Sequence, residues 1–137
     1  MRRRACILTV VVAAVLVAGC GGGSDSDAVK STVVGYYHAL ASDDGATACS
    51  LLSASARAPF DHFRKGISCA ELLTAEAQRQ VTPAVKSRLQ GVKVTNVAVT
   101  GQSASASVGA GRTRSSTVTL VKEGGNWKFQ GIPSGTG

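Results

Sequence analysis

The chain opens with three arginines, directly after Met1, and continues into an apolar run from Ala5 to Ala18 in which Thr9 is the only polar residue. A positively charged segment followed by a short apolar run is typical of an export signal. The run has 14 residues, whereas a helix needs about 20 apolar residues to cross the hydrocarbon core of a bilayer. We therefore expect residues 1–19 to be a cleaved signal peptide and not a permanent membrane span.

The apolar run ends in Val17-Ala18-Gly19-Cys20, an aliphatic residue and two small residues before a cysteine. This motif resembles the lipobox of bacterial lipoproteins. The resemblance implies cleavage before Cys20, a diacylglycerol on the Cys20 thiol, and a mature chain anchored at the outer face of the cell membrane. The alternative is ordinary cleavage at a small-residue site, with no lipid on Cys20. The export route, Sec or twin-arginine, stays open.

The segment after Cys20 is rich in glycine and serine, a composition that behaves as flexible coil. We therefore predict a lipidated cysteine and tether over residues 20–27, one domain over residues 28–132, and a disordered tail over residues 133–137. Removal of 19 of the 137 residues leaves 118, which is enough for one domain and too few for two.

The charge balance of the mature chain is mildly basic. The net charge falls from +7 to +4 because the three N-terminal arginines leave with the signal peptide. Outside the membrane, such a balance favours anionic lipid or wall polymer as a partner, and we expect no nucleic acid. The remaining cations are scattered along the sequence, which indicates solvated faces.

The cysteines form an even pair once processing is considered. Cys6 leaves with the signal peptide and Cys20 takes the lipid, so Cys49 and Cys69 remain in an oxidising compartment. We predict a disulfide between them. A catalytic thiol is the alternative, but no activating Cys/His signature lies nearby.

The first half of the mature chain carries apolar residues at helical spacing. We predict helices over about residues 28–42, 48–52, 54–63 and 69–80. Asp27 is the N-cap candidate of the first helix, and Asp43 or Asp44 that of the second. Ser68 and Glu71 fit a capping box at the start of the last helix.

Thr82-Pro83 is expected to interrupt the helical part. Beyond Leu89 the apolar period changes to two, which predicts strands around residues 92–99, 104–108, 117–122 and 127–130. The alternation reverses its phase near Thr95-Asn96, which predicts a β-bulge. Gly124-Gly125 predicts the turn of a hairpin that places Trp127 and Phe129 on one face.

Helices followed by antiparallel strands imply an α+β domain, in which N-terminal helices pack on one face of a curved antiparallel sheet. Three segments resemble the NTF2-like (cystatin-like) lipoproteins of high-GC Gram-positive bacteria. They are Tyr36-Tyr37-His38-Ala39-Leu40, Ala48-Cys49-Ser50-Leu51-Leu52 and Gly124-Gly125-Asn126-Trp127-Lys128. This resemblance covers nearly all of the mature chain. It implies a cone-shaped sheet, but families of this fold include enzymes, carriers and interaction modules, so the fold does not determine the function.

The resemblance also implies a pocket between the sheet and the helices. The candidate lining residues are Tyr36, Tyr37, Leu72 and Trp127. Core packing is the alternative for each aromatic residue, since an indole or phenol ring opposite a helical layer can fill the hydrophobic core between the two layers. One tyrosine is expected to pack in the core while the other places its hydroxyl at the pocket mouth.

No set of residues in the sequence has the pattern of a catalytic site. Asp61-His62 is a neighbouring acid/base pair, but adjacent residues on a regular element point away from each other. His38 and His62 together with the two domain cysteines have the composition of a zinc site but lack its close paired spacings. We expect no metal and no cofactor.

These observations favour a membrane-anchored, non-enzymatic binding module at the outer face of the cell membrane. Its partners would be the membrane, through Cys20, and an envelope protein or component. The alternative is a carrier or sensor that holds a small apolar ligand in the cone. An enzyme is a third alternative that no residue pattern supports.

Overall fold

The computed structural model describes residues 24–63, 66–111 and 114–133. Within them, the helices are α1 (Asp25–Ala41), α2 (Gly45–Ser50), α3 (Ala54–Phe63), α4 (Cys69–Gln80) and α5 (Pro83–Gln90), and the strands are β1 (Val92–Thr100), β2 (Ser103–Ala110), β3 (Ser116–Glu123) and β4 (Asn126–Phe129). The predicted α+β class, with helices before an antiparallel sheet, is confirmed. The predicted signal peptide, Cys20 and residues 134–137 lie outside the described residues.

Helix α1 begins three residues before its predicted start. Its N-cap is Ser24, whose hydroxyl accepts a hydrogen bond from the Asp27 amide, and not Asp27 itself. The Ser24 hydroxyl also donates to the Asp27 carboxylate over 3.0 Å. Carboxylates in the first turn stabilise the positive end of the helix dipole. The helix therefore takes in residues that the composition alone assigned to the tether.

The other helix caps follow the sequence closely, with one exception. Asp44 caps α2, and Ser68 with Glu71 forms the predicted capping box of α4. Helix α5 is not among the predicted helices, because Thr82-Pro83 indicates only a break in the helical part. The Thr82 hydroxyl caps α5, and Pro83 occupies its first turn. Proline has no backbone N–H, but an N–H in the first turn would have no acceptor within the helix.

The strands form an open antiparallel sheet in the order β1-β2-β3-β4. The predicted bulge is confirmed: β1 advances three residues from Thr95 to Ala98 while β2 advances two, from Ser107 to Ser105. Asn96 takes the left-handed conformation within it, with φ of 49°. Asparagine tolerates that conformation better than most residues.

The free edge of β4 is partly covered by the segment between α2 and α3. The amide of Ser53 donates to the Phe129 carbonyl over 2.9 Å, and the Phe129 amide donates to the Leu51 carbonyl over 2.8 Å. Leu52 thereby forms a parallel bridge with Phe129. This contact joins the helical layer to the last strand.

The core lies between α1 and the inner face of the sheet. Trp127 and Phe129 both face it, as predicted. Its largest fully buried members are Tyr36, Tyr37, Phe129, Leu52, Leu120, Val29, Val33 and Val108. In the described part of the chain, no helix combines the length and the apolar character that a membrane crossing requires.

Candidate functional site

The predicted disulfide is present. Cys49 in α2 is bonded to Cys69 in the first turn of α4, with their Cα atoms 6.0 Å apart. The bond closes a loop of 20 residues. It therefore links two helices that also pack directly on each other.

The aromatic residues predicted to line a pocket lie in the core. Tyr36, Tyr37 and Trp127 are 2%, 1% and 3% exposed. The Tyr36 ring lies 4.8 Å from the Phe129 ring and 5.5 Å, edge to face, from the Tyr37 ring. These contacts fill the space between α1 and the sheet with side chains.

Neither tyrosine places its hydroxyl at a pocket mouth. Burial raises the pKa of Tyr36, and the neighbouring Tyr37 raises it further. Burial also raises the pKa of Tyr37, whose hydroxyl has no hydrogen-bond partner among the described residues. Both phenols therefore stay protonated near neutral pH and cannot serve as bases.

Leu72, the fourth predicted pocket residue, is half-buried on α4, while Leu73 and Ala77 face the core. An open groove of 360 Å³ runs between the N-terminus of α2 and α4. A smaller space of 110 Å³ lies beside the first half of β3, next to Ile132. None of the four predicted residues lines either one.

The groove beside α2 is acidic, but its carboxylates have structural partners. Lys86 donates to Asp43 over 2.8 Å. The Thr47 hydroxyl and amide donate to Asp44, and these bonds hold the Asp44 pKa below its ordinary value. Hydrogen bonds from the Ser68 amide and hydroxyl likewise lower the pKa of Glu71. The groove therefore consists largely of helix caps.

Gly45 explains why the two walls of this groove lie so close. A Cβ at Gly45 would lie 2.1 Å from the Ala70 carbonyl oxygen. The Gly45 amide donates to the Thr74 hydroxyl, which in turn donates to the Ala70 carbonyl. Only glycine lets α2 approach the α4 backbone this closely.

The candidate acid/base residues do not converge. The His38 Nε2 atom lies 3.1 Å from the Gln90 carbonyl oxygen and its ring is exposed. Asp61 and His62 are also exposed. Within the described ranges, no three His, Cys, Asp or Glu residues are grouped so that they could hold a metal ion.

The two ends of the sheet differ in how their charges are used. We define the hairpin end by the turns at Gly101-Gln102 and Gly124-Gly125, which are joined by a hydrogen bond from the Lys122 amide to the Gln102 carbonyl. At this end, the Asp25 carboxylate accepts from Lys122 Nζ over 2.7 Å and from Trp127 Nε1 over 3.1 Å. The contacts bind the first turn of α1 to the last hairpin.

We define the basic end by three exposed cations, Arg88, Lys93 and Arg114. Arg88 lies in the last turn of α5, Lys93 is the second residue of β1, and Arg114 precedes β3. Lys93 lies beside the connection that leads to Arg114 because the first residue of β1, Val92, pairs with the last residue of β2, Ala110. Arg88 lies just before β1, where its carbonyl accepts a hydrogen bond from the Gly91 amide. The structure thus groups cations that are scattered in the sequence.

The basic end was missed at the level of sequence, although the sequence carries a signal for it. Residues 77–122 contain seven Lys or Arg residues and no Asp or Glu. A count over this segment would have revealed the imbalance. It could not have shown which of the seven share one end of the sheet.

Comparisons with known proteins supply no relative: no family model matches the sequence, and no curated protein and no solved structure was found to be similar to this chain.

Proposed function

We propose that this protein is an extracytoplasmic lipoprotein, cut before Cys20 and held by lipid at the outer face of the cell membrane, with an NTF2-like domain that binds a partner without catalysing a reaction. The Cys49–Cys69 disulfide carries the proposal. Disulfides persist in oxidising compartments and are rare in the cytosol. The bond therefore supports export, in agreement with the N-terminal signal pattern.

The position of α1 supports an anchored domain. The first residue of α1, Asp25, follows Cys20 by five positions. Asp25 is held to the last hairpin through Lys122 and Trp127. A lipid on Cys20 would thus hold the domain close to the bilayer by its hairpin end.

The use of the polar groups supports binding rather than catalysis. Asp44 and Glu71 cap helices, and Asp43 pairs with Lys86. The carrier alternative needs an apolar cavity, but Tyr36 and Trp127 fill the space between α1 and the sheet. The partner is therefore expected at the surface of the domain.

The anchor is tested by replacing Cys20 in the full-length chain expressed in a bacterium with a lipoprotein pathway. We expect the wild-type protein to incorporate an alkyne-tagged fatty acid and to have a mature mass that begins at Cys20. The Cys20→Ser variant should carry no tagged lipid, because serine cannot form the thioether. Membrane retention alone is a poor measurement, since an uncleaved precursor also stays in the membrane.

Cys6→Ser is the matched control, because it removes a cysteine from the predicted signal peptide and leaves the lipobox intact. It should be labelled and processed like the wild type. Tagged lipid on the Cys20→Ser variant, or a wild-type mass that shows no lipid, would overturn the anchor.

A further inference from the structure

The cations of the basic end have no ion-pair partner among the residues that the structure describes. The ion pairs of the described residues join Lys30 to Asp27, Arg79 to Glu76, Lys86 to Asp43, and Lys122 to Asp25. None of them involves Arg88, Lys93 or Arg114. Arg57 on α3 also has no ion pair with a described residue, but it lies on a different element from these three.

Strand pairing brings two cations of the basic end, Lys93 and Arg114, within reach of one extended ligand. Lys93 pairs with Gly109, and a Cβ at Gly109 would lie 3.8 Å from the Cα of Ser115. Since neighbouring strands are about 4.8 Å apart, the backbones at Lys93 and Ser115 are separated by about 10 Å. Gly109 leaves the surface between Lys93 and Ser115, the residue after Arg114, free of a bulky side chain.

The segment that carries these cations contains no acidic residue of its own. Asp43 is the carboxylate that pairs with α5, and it does so through Lys86. No Asp or Glu occurs between Glu76 and Glu123 in the sequence. Residues 77–122, which carry the basic end, therefore have a net positive charge.

The orientation of α1 separates the basic end from the anchor. The helix is held to the hairpin end at Asp25, and His38 near its C-terminus contacts Gln90 at the end of α5. Its 17 residues span about 25 Å. The chain from Cys20 to Ser24 extends at most about 14 Å. When α1 stands upright on the anchor, the basic end therefore faces away from the bilayer.

We propose that the basic end binds an extended anionic polymer of the cell envelope, such as a phosphate-linked chain, on the side of the domain away from its own membrane. The location rests on the proposed lipid anchor, whereas the binding rests on Arg88, Lys93 and Arg114. Arginine and lysine both bind phosphate oxygens, arginine in a bidentate fork.

The surface fits a polymer better than an acidic protein. Protein interfaces have an apolar centre with a polar rim. The described surface has one exposed large apolar side chain, Ile132. Ile132 lies beside the first half of β3, and one apolar side chain does not make an apolar centre. Thr95 and Ser115, which lie close to Lys93 and Arg114 in the chain, are polar. An extended polyanion needs charge and hydrogen-bond donors but no apolar centre.

The first test titrates the full-length protein, in nonionic detergent, with linear polyphosphate and follows binding by calorimetry. We expect the affinity to fall with salt, with a log–log slope of about −2 for three phosphate contacts on a single-stranded polymer. The triple variant Arg88→Gln, Lys93→Gln, Arg114→Gln should bind roughly tenfold more weakly or worse, with a slope close to zero.

The matched control is the triple variant Lys30→Gln, Arg57→Gln, Arg79→Gln, which removes the same charge from exposed positions on α1, α3 and α4. It should bind polyphosphate within about twofold of wild type, because its basic end is intact. Equal loss of affinity in both triple variants, or no binding by the wild type, would overturn the proposal. Circular dichroism melts verify that each variant is folded.

A second test distinguishes a polymer from the protein's own bilayer. The lipidated protein is reconstituted into phosphatidylcholine vesicles with or without phosphatidylglycerol, at about 0.1 M salt, where the screening length is about 10 Å. Polyphosphate affinity should be equal in both vesicles. Loss of binding caused by phosphatidylglycerol would mean that the basic end lies on the membrane, and it would overturn the proposal.

The two proposals fail separately. The detergent titration does not require lipid on Cys20, so its result tests the basic end alone. The fatty-acid labelling of Cys20→Ser does not involve the basic end, so its result tests the anchor alone.

Discussion

The hairpin end and the basic end are built from the same residue types but use them differently. At the hairpin end, Asp25 binds both Lys122 and Trp127, and Lys122 Nζ also lies 5.5 Å from the centre of the Trp127 ring. At the basic end, Arg88, Lys93 and Arg114 have no ion-pair partner among the described residues. Charge at the hairpin end positions α1, whereas charge at the basic end is available to another molecule.

This difference teaches where to look for function in a domain whose core is filled. Charged groups that hold helices and strands together are already neutralised and offer little to a ligand. Exposed charges without internal partners contribute little to stability, since surface substitutions usually change it by no more than about 0.5 kcal/mol. The two ends should therefore respond differently to mutation: the hairpin end through stability, the basic end through binding.

The largest expected effect is at the hairpin end. Trp127→Ala should lower the free energy of unfolding by about 3–5 kcal/mol, because it removes a large buried ring and leaves a cavity. Urea denaturation should be followed by circular dichroism. Trp127 is the only tryptophan of the chain, so the variant has no tryptophan fluorescence to follow. Trp127→Phe keeps most of the packing and loses only the indole N–H, so its free energy of unfolding should fall much less. An unchanged urea midpoint for Trp127→Ala would break the comparison between the two ends.

The disulfide offers a way to separate stability from binding. The double variant Cys49→Ala, Cys69→Ala should lose about 3 kcal/mol in urea unfolding, because a bond closing a loop of about 20 residues restricts the unfolded chain. The bond joins α2 and α4, and the basic end lies on α5 and the sheet. Polyphosphate affinity of the folded variant should therefore equal that of wild type. Full stability in the double variant would contradict the expected role of the bond.

The smallest expected effect is the pH dependence due to Asp25. Hydrogen bonds from Lys122 and then Trp127 hold the pKa of Asp25 below its ordinary value of 3.8. A carboxyl whose pKa is lower in the folded state stabilises the fold above the unfolded value, and that contribution is lost as the pH falls through the folded value. The stability difference between wild type and Asp25→Asn should therefore be present at neutral pH and shrink below pH 3.8.

Asp61→Asn is the control for this experiment, because Asp61 is an exposed carboxylate. Hydrogen bonds also lower the pKa values of Asp44 and Glu71, so these carboxyls add to the acid dependence of stability as well. Both are unchanged in the two variants, so their contributions cancel in the comparison. A stability difference between wild type and Asp25→Asn that stays constant down to pH 2.5, about one unit below the ordinary Asp value, would show that the charge of Asp25 does not stabilise the fold.

Local patterns predicted the parts of the fold that depend on nearby residues. The capping box of Ser68 and Glu71 works over three residues, and the bulge at Asn96 shows as a reversal of the apolar phase. The Gly124-Gly125 turn has φ values of 57° and 81°, which glycine adopts without strain. Even the missed helix α5 has a local signal, in the serine-like cap of Thr82 and the proline that follows it.

The candidate site was less predictable, because it depends on contacts between residues that are far apart in the chain. The sequence correctly paired Cys49 with Cys69, since compartment and cysteine parity left one pairing in the domain. It could not tell whether Tyr36, Tyr37 and Trp127 line a cavity or fill it. That outcome depends on how closely α1 approaches Phe129 and the rest of the sheet.

By itself, the sequence determined the order and type of most elements, because capping, turn chemistry and apolar periodicity act over a few residues. It also contained the charge imbalance of residues 77–122. Only the tertiary structure decided that the aromatic residues close the core and that Arg88, Lys93 and Arg114 share one end of the sheet. The physical reason is that strand register and helix packing bring distant residues together, and neither is encoded in any short segment of the chain.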